Sequence, residues 1–175
     1  MALSACTLIG SLPRDCRGVG SVLEIKVKVL PSLQTLASDY TYSSGSVTAV
    51  ASGSRTLWYT YYMERETALF ESTQNVGNGS QSYAQTGKIV LNRLSATISE
   101  ELRVIGKNSV QIAVKNADGT IQLFGYEQGM DIVTAKGSTG TAKTDRNGYE
   151  VDFVGSERYD APFISSAIYD TLVTA

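Results

Sequence analysis

Val110-Gln111-Ile112-Ala113-Val114-Lys115-Asn116-Ala117-Asp118-Gly119-Thr120-Ile121-Gln122-Leu123-Phe124 is the stretch that decides the fold. Val110, Ile112 and Val114 alternate up to Asn116, and Ile121 and Leu123 alternate away from Gly119. A period of two marks a strand, because successive side chains point to opposite faces of a sheet. Asp-Gly between two such runs is a strong hairpin signal, since the turn needs a residue that accepts left-handed backbone. The chain is therefore expected to be built from antiparallel strands.

The neighbouring segments extend this pattern. Before the hairpin, Leu94, Ile98, Leu102 and Ile105 form an apolar stripe at helical spacing, so one α-helix is expected at about residues 96–105. Ser95 or Thr97 can cap it, Thr97-Ile98-Ser99-Glu100 fits a capping box, Glu100 and Glu101 sit near its positive end, and Gly106 is the expected stop. After the hairpin, Met130 to Ala135 reads as a strand and Gly137 to Gly140 as a loop. Arg146-Asn147-Gly148 is then a turn into Tyr149, Val151 and Phe153. On the other side, Tyr83 to Leu94 is an expected strand preceded by turn chemistry at Asn75 to Ser80.

Leu57 to Phe70 reads as one strand carrying Leu57, Tyr59, Tyr61 and Met63 on one face and Trp58, Thr60, Tyr62 and Glu64 on the other. Aromatics on both faces are expected where a neighbouring subunit covers the second face. Val22 to Leu30 places Leu23, Ile25, Val27 and Val29 opposite Glu24, Lys26 and Lys28, the pattern of a half-buried strand that ends at Pro31. Residues 31–56 are rich in small polar residues and long for a connection, so a loop or arm that orders on contact is expected there. Val47 to Ala51 within it is suited to adding a strand to a neighbour's sheet edge. Tyr40, Tyr42, Val47 and Val50, with Tyr59 and Tyr61, are the candidate subunit contacts. The tail from Tyr159 onward shows no clear period. The whole, residues 1–175, is expected to be a single, mainly β domain: a β-sandwich or barrel with one flanking helix.

Composition restricts the chemistry. Fifteen Lys and Arg stand against 17 Asp and Glu, for a formal charge of −2, so the cationic excess that releases counterions from nucleic acid is missing. There is no histidine, which excludes Ser-His-Asp and Cys-His nucleophile systems and histidine-bearing metal sites. Cys6 and Cys16 cannot supply a four-thiolate site, and their spacing does not decide whether they are bonded to each other. Gly18-Val19-Gly20 and Gly137 to Gly140 resemble fragments of phosphate loops, but no Gly-Lys-Ser/Thr follows and neither opens a helix. Paired carboxylates at Glu64/Glu66 and Glu150/Asp152 would share a strand face; such pairs can serve glycoside hydrolysis or a hard cation, but more often mark a solvated or channel-facing surface. They are candidate lumen acids. The expectation is a protein that is not an enzyme and uses no cofactor and no metal. No apolar run approaches the ~18 residues of a membrane span. Leu3-Ser4-Ala5-Cys6 has the look of a lipoprotein cleavage box without room for the regions that precede one, so synthesis in the cytoplasm is expected. Ten tyrosines against four phenylalanines suit surfaces that become buried on assembly.

Several segments in order resemble the tail-tube, or major tail, structural proteins of phages of Bacteroidetes-type hosts. They are Ala5-Cys6-Thr7-Leu8 with Cys16-Arg17, Tyr83-Ala84-Gln85 with Ile89-Val90-Leu91-Asn92-Arg93-Leu94, and Leu123-Phe124-Gly125-Tyr126 after the Asp118-Gly119 turn. Gly140-Thr141-Ala142 leading to Asp145-Arg146-Asn147-Gly148-Tyr149 completes the set. The resemblance implies rings, hexameric in that family, stacked into a tube through which DNA passes as cargo. It also implies other tail proteins as partners and the virion as destination. Residues 31–56 fit it least, which leaves a tube-end or adaptor, baseplate or capsid-decorating role as the alternative.

Overall fold

The computed structural model describes residues 20–30, 39–77, 79–142 and 144–173. Cys6, Cys16, Gly18, Val19 and the stretch 31–38 lie outside the described residues. Eleven strands and two short helices are found among those described. They are β1 (Val22–Val29), β2 (Tyr40–Ser43), β3 (Ser46–Val50), β4 (Tyr59–Tyr62), β5 (Ala68–Gly77), β6 (Ser80–Asn92) and α1 (Ala96–Ile105). Then follow β7 (Val110–Asn116), β8 (Ile121–Phe124), β9 (Asp131–Ser138), β10 (Gly148–Glu157), β11 (Phe163–Ile164) and α2 (Ser166–Asp170). They make a seven-stranded sheet in the order β2-β3-β11-β8-β7-β1-β4 and a four-stranded sheet in the order β5-β6-β10-β9. This is a mainly β, sandwich-like fold with a flanking helix, as the alternation implied.

The Asp-Gly hairpin forms as expected, with Ile112 opposite Phe124 and Lys115 opposite Ile121. Gly119 has φ +88°, and the Asp118 carboxylate accepts the Thr120 backbone N–H at 2.9 Å. β7 is the centre of the molecule because both of its faces are buried. Val110, Ile112 and Val114 enter a core between the sheets, together with Ile25, Val27, Val151, Phe153 and, from α1, Leu102 and Ile105. Ala113 enters a second core on the opposite face of the seven-stranded sheet, among Trp58, Leu123, Tyr40, Val50 and Tyr169. Each such aliphatic or aromatic side chain taken from water contributes about 1.5–3 kcal/mol. The gap left between α1 and the sheets is about 10 Å³, lined by Val27, Tyr61, Ile89, Leu102 and Phe153, room for one water at most.

The second core corrects three expectations. The charged face of β1 is not left to solvent. Lys26 Nζ donates to the carbonyls of Tyr169 and Leu172, each at 2.8 Å, and Lys28 Nζ donates to Ser54 O at 3.1 Å. The two ammonium groups lie 4.2 Å and 6.0 Å from the ring centres of Tyr169 and Trp58. Burial lowers the pKa of both lysines. Leu23 is 49% exposed and Val22 is buried in its place, because the β1–β7 register shifts between Val22 and Glu24. Next, Trp58 is fully buried within its own chain, its Nε1 donating to Ser54 O at 2.8 Å, so no neighbouring subunit is needed to cover it. Finally, residues 40–50 are not an arm awaiting a partner. β2 and β3 form a hairpin, and β3 runs parallel to β11, with Val47 opposite Ile164. The Val47 to Ala51 strand is already paired inside the protomer.

Local details differ elsewhere. The expected strand from Leu57 to Phe70 is broken: Leu57 has φ +65°, β4 ends at Tyr62, and Glu66 takes φ +59° in a turn before β5. β9 extends to Ser138, into the stretch expected to be a loop. Ser95 occupies the N-cap of α1 through its carbonyl, which accepts Ser99 N–H at 3.0 Å, and its side chain makes no cap bond. Glu100 is turned instead to Arg103, so the capping box does not form. Gly106 ends α1 in right-handed backbone, φ −66°. The tail forms β11 and α2, whose N-cap Ser165 Oγ accepts Ile168 N–H at 3.3 Å. Among the described residues no helix is long and apolar enough to cross a membrane.

Candidate functional site

The four-stranded sheet holds the features that the core does not consume. Its inner face is set by alternation. Ala68 and Phe70 of β5, Ile89 and Leu91 of β6, and Tyr149, Val151 and Phe153 of β10 pack toward the other sheet. Phe70 lies directly over Gly87: a Cβ there would come within 2.5 Å of its ring, so only glycine lets the ring reach Phe124, 5.2 Å away between centres. Gly148 is similarly obligatory, since a Cβ would meet Leu91 O at 2.1 Å.

The outer face follows from the opposite parity. Register aligns Leu69 with Lys88, Lys88 with Asp152 and Asp152 with Thr134, a row across all four strands. Beside it, Glu150 lies opposite Lys136 and 3.7 Å from Lys88. The outer face is thus mixed in charge, with Glu71, Glu150 and Asp152 set among Lys88 and Lys136. The sheet ends in β5 and β9, of 10 and 8 residues, which pair on one side only. From Thr73 to Gly77 every residue of β5 is exposed, and in β9 only Ile132 is not. Val76 and Val133, 75% and 67% exposed, stand on these two edges. Long open edges with apolar residues are templates for pairing with another chain.

The sequence-derived residues divide clearly. Glu150 and Asp152 do share the outer face of the four-stranded sheet. Glu64 and Glu66 do not join them, being in the β4–β5 turn, where Glu64 accepts a hydrogen bond from the Asn92 side-chain amide. Of the candidate contacts, Tyr40, Val47 and Val50 are in the second core and closed to a partner. Tyr40 Oη donates to Gln111 Oε1 at 2.7 Å, and burial raises its pKa. Tyr61 packs on the first core and donates to Glu101 Oε2 at 2.9 Å; burial, then this carboxylate, raise its pKa. Tyr59 and Tyr42 keep open surface, 47% and 38% exposed. Tyr42 leans on buried Tyr126 and on partly exposed Tyr159, ring centres 5.9 Å and 5.4 Å away.

Sequence reading missed Tyr62, 80% exposed on edge strand β4, and the edge residues Leu69, Val76 and Val133. The available signal was β9 itself, whose Asp131-Ile132-Val133-Thr134-Ala135-Lys136 has no apolar alternation to bury. Among the described residues no three of Cys, Asp and Glu approach closely enough to hold a metal ion. No protein-family model, no curated protein and no solved structure matches this chain.

Proposed function

We propose that the chain is a structural subunit that closes into rings, as the tail-tube proteins it resembles do, and that the rings stack into a conduit for DNA. The observation that carries this reading is the pair of open edges, β5 and β9, at opposite ends of one sheet. Two different edges that pair copy to copy make a head-to-tail contact, and such a contact closes into a ring when the rotation permits. Closure removes every free edge of that sheet, as in a barrel. The outer or inner wall of such a ring would be the face bearing Glu71, Lys88, Glu150, Lys136 and Asp152. In a conduit this face lines the channel, where Glu150 and Asp152 repel phosphate and the neighbouring lysines moderate the field.

The proposal gives the edges, rather than residues 31–56, the task of joining copies. Val133→Lys places a charge on the β9 edge at a position that is 67% exposed in the protomer. Negative-stain images and mass photometry of the purified full chain are expected to show rings. The V133K protein is expected to stay monomeric with unchanged circular dichroism. Monomers of the unaltered chain at every concentration up to several milligrams per millilitre would refute the reading. Rings of V133K at wild-type yield would move the contact away from β9.

A further inference from the structure

A groove of about 320 Å³ lies at the end of the sandwich where β1 begins. Its lining includes Gly20 and Val22 on one side, Ala68, Leu69 and Phe70 of β5 on the other, and Asp118 of the β7–β8 turn. A cavity of ~150 Å³ lined by apolar side chains takes a benzene ring, so this groove has room for about two leucine-sized groups. Ala68 and Phe70, although on the inner face, are only half-buried, and Leu69 is 56% exposed. The polar groups beside them are engaged with one another: the Asn116 amide donates to Thr120 Oγ1, which itself donates to the Asp118 carboxylate. The edge of β5 opens onto the same place. Val90 N–H donates to Thr67 O at 2.8 Å, and the β5–β6 register runs without a shift from Ala68 opposite Ile89 to Gly77 opposite Ser80. Bonded and non-bonded positions alternate along an antiparallel pair. The N–H and C=O groups of Ala68 and Phe70 therefore point to the open edge beside the groove, as do those of Gln74 and Val76 farther along.

We propose that this groove and the start of the β5 edge are the seat of the chain's own leading segment, residues 7–12. That segment adds a short strand to β5 at Ala68–Phe70 and fills the groove with its leucines. The chain reaches β1 through Gly20, which is itself part of the groove, and a Cβ on Gly20 meets nothing within 4 Å. The approach is fixed just after it, where Ser21 takes φ +125° and its carbonyl accepts Ala117 N–H at 2.9 Å. Thr7-Leu8-Ile9-Gly10-Ser11-Leu12 is uncharged, and Pro13 ends it as a strand. Leu8 and Leu12 share the parity that faces the groove, and Ile9 has the parity of exposed Leu69. The chain between Leu12 and Gly20 spans up to about 26 Å, enough to turn back on β1. Arg14 and Arg17 outnumber Asp15 in that stretch, which suits a rim bearing the Asp118 carboxylate. The tether raises the segment's local concentration to the millimolar range, which favours it over the same segment of a second copy. The seat covers only the start of β5 and leaves Thr73–Gly77 open, so the inference stands whether or not rings form.

The experiment is amide hydrogen exchange of the full chain, kept dilute so that it is monomeric. Ala68 and Phe70 are expected to exchange about tenfold or more slowly than Gln74 and Val76, which share their edge and parity. Leu8→Ser combined with Leu12→Ser is expected to remove the difference. Equal exchange at the four positions of the unaltered chain would overturn the proposal, and so would protection that survives L8S/L12S. Protection that grows with protein concentration would put a second copy in the groove instead. A thiol cross-link gives an independent reading. Ala68→Cys in a Cys16→Ser background, treated with oxidised glutathione, is expected to bond to Cys6 within one chain. Gln74→Cys in the same background is expected to do so at least about tenfold more slowly. Equal rates, or a bond between chains seen on non-reducing electrophoresis, would overturn the proposal. Should L8S/L12S fail to fold, the cross-link decides alone.

Discussion

β7 and β9 are both strands of one small domain, yet β7 has its first five residues buried and β9 has none buried. The seven-stranded sheet is buried on both faces within the chain, although its end strands β2 and β4, of four residues each, also pair on one side only. Its two faces are covered by the other sheet and α1 on one side, and by the β2–β3 hairpin, Trp58 and the C-terminal segment on the other. The four-stranded sheet is covered on its inner face, and its outer face and both edges are left open. The difference separates residues that the chain uses to fold from residues it leaves for something else. It also shows why tyrosine count alone misleads: Tyr40 and Tyr169 are core residues, whereas Tyr59 and Tyr62 are surface.

The contrast can be broken first at Trp58. Trp58→Ala is expected to cost about 3–5 kcal/mol, read from urea unfolding, because a fully buried indole and its hydrogen bond to Ser54 are lost together. A loss under 1 kcal/mol would mean that the second core is not part of the folding unit. Gly87→Ala tests the inner face of the four-stranded sheet. The new methyl collides with Phe70, so a cost of about 1–3 kcal/mol is expected, with a changed near-ultraviolet circular dichroism from the Phe70–Phe124 pair.

Alkaline pH probes the two cores more gently. Tyr40 and Tyr61 have raised pKa values, so the stability they contribute is fully present below the ordinary tyrosine value near 10 and is lost as pH rises above it. Each is expected to steepen the fall in stability by at most about 1.4 kcal/mol per pH unit, and Tyr61→Phe should remove its share. At the small end, Val133→Thr and Val154→Thr on the exposed side of the four-stranded sheet are expected to change monomer stability by less than about 0.5 kcal/mol.

What was legible in the sequence was local. The Asp118-Gly119 hairpin and α1 are specified by neighbours within a few positions, through turn chemistry and an apolar stripe. The covered face of β1 was not legible. Lys26 has the spacing of a solvent-facing residue, and its partners Tyr169 and Leu172 lie 143 and 146 positions away. Residues 40–50 were misread for the same reason. Val47 and Val50 are spaced as in a poor strand, and the residues they share a core with, Leu123, Ile164 and Tyr169 among them, lie on distant elements. Glu150 and Asp152 were placed on one face correctly because both lie in a regular strand. Glu64 and Glu66 were not, because Glu66 adopts left-handed backbone that no alternation announces.

The most direct test of edge-to-edge ring closure is amide exchange along β5 and β9, compared between dilute protein and protein concentrated until it assembles. Pairing with another copy should protect amides in both Thr73–Gly77 and Asp131–Ser138, by about tenfold or more, while β7, already buried, stays the same. Assembly that leaves both edges exchanging as in the monomer would contradict the assignment of these strands as the joining surfaces.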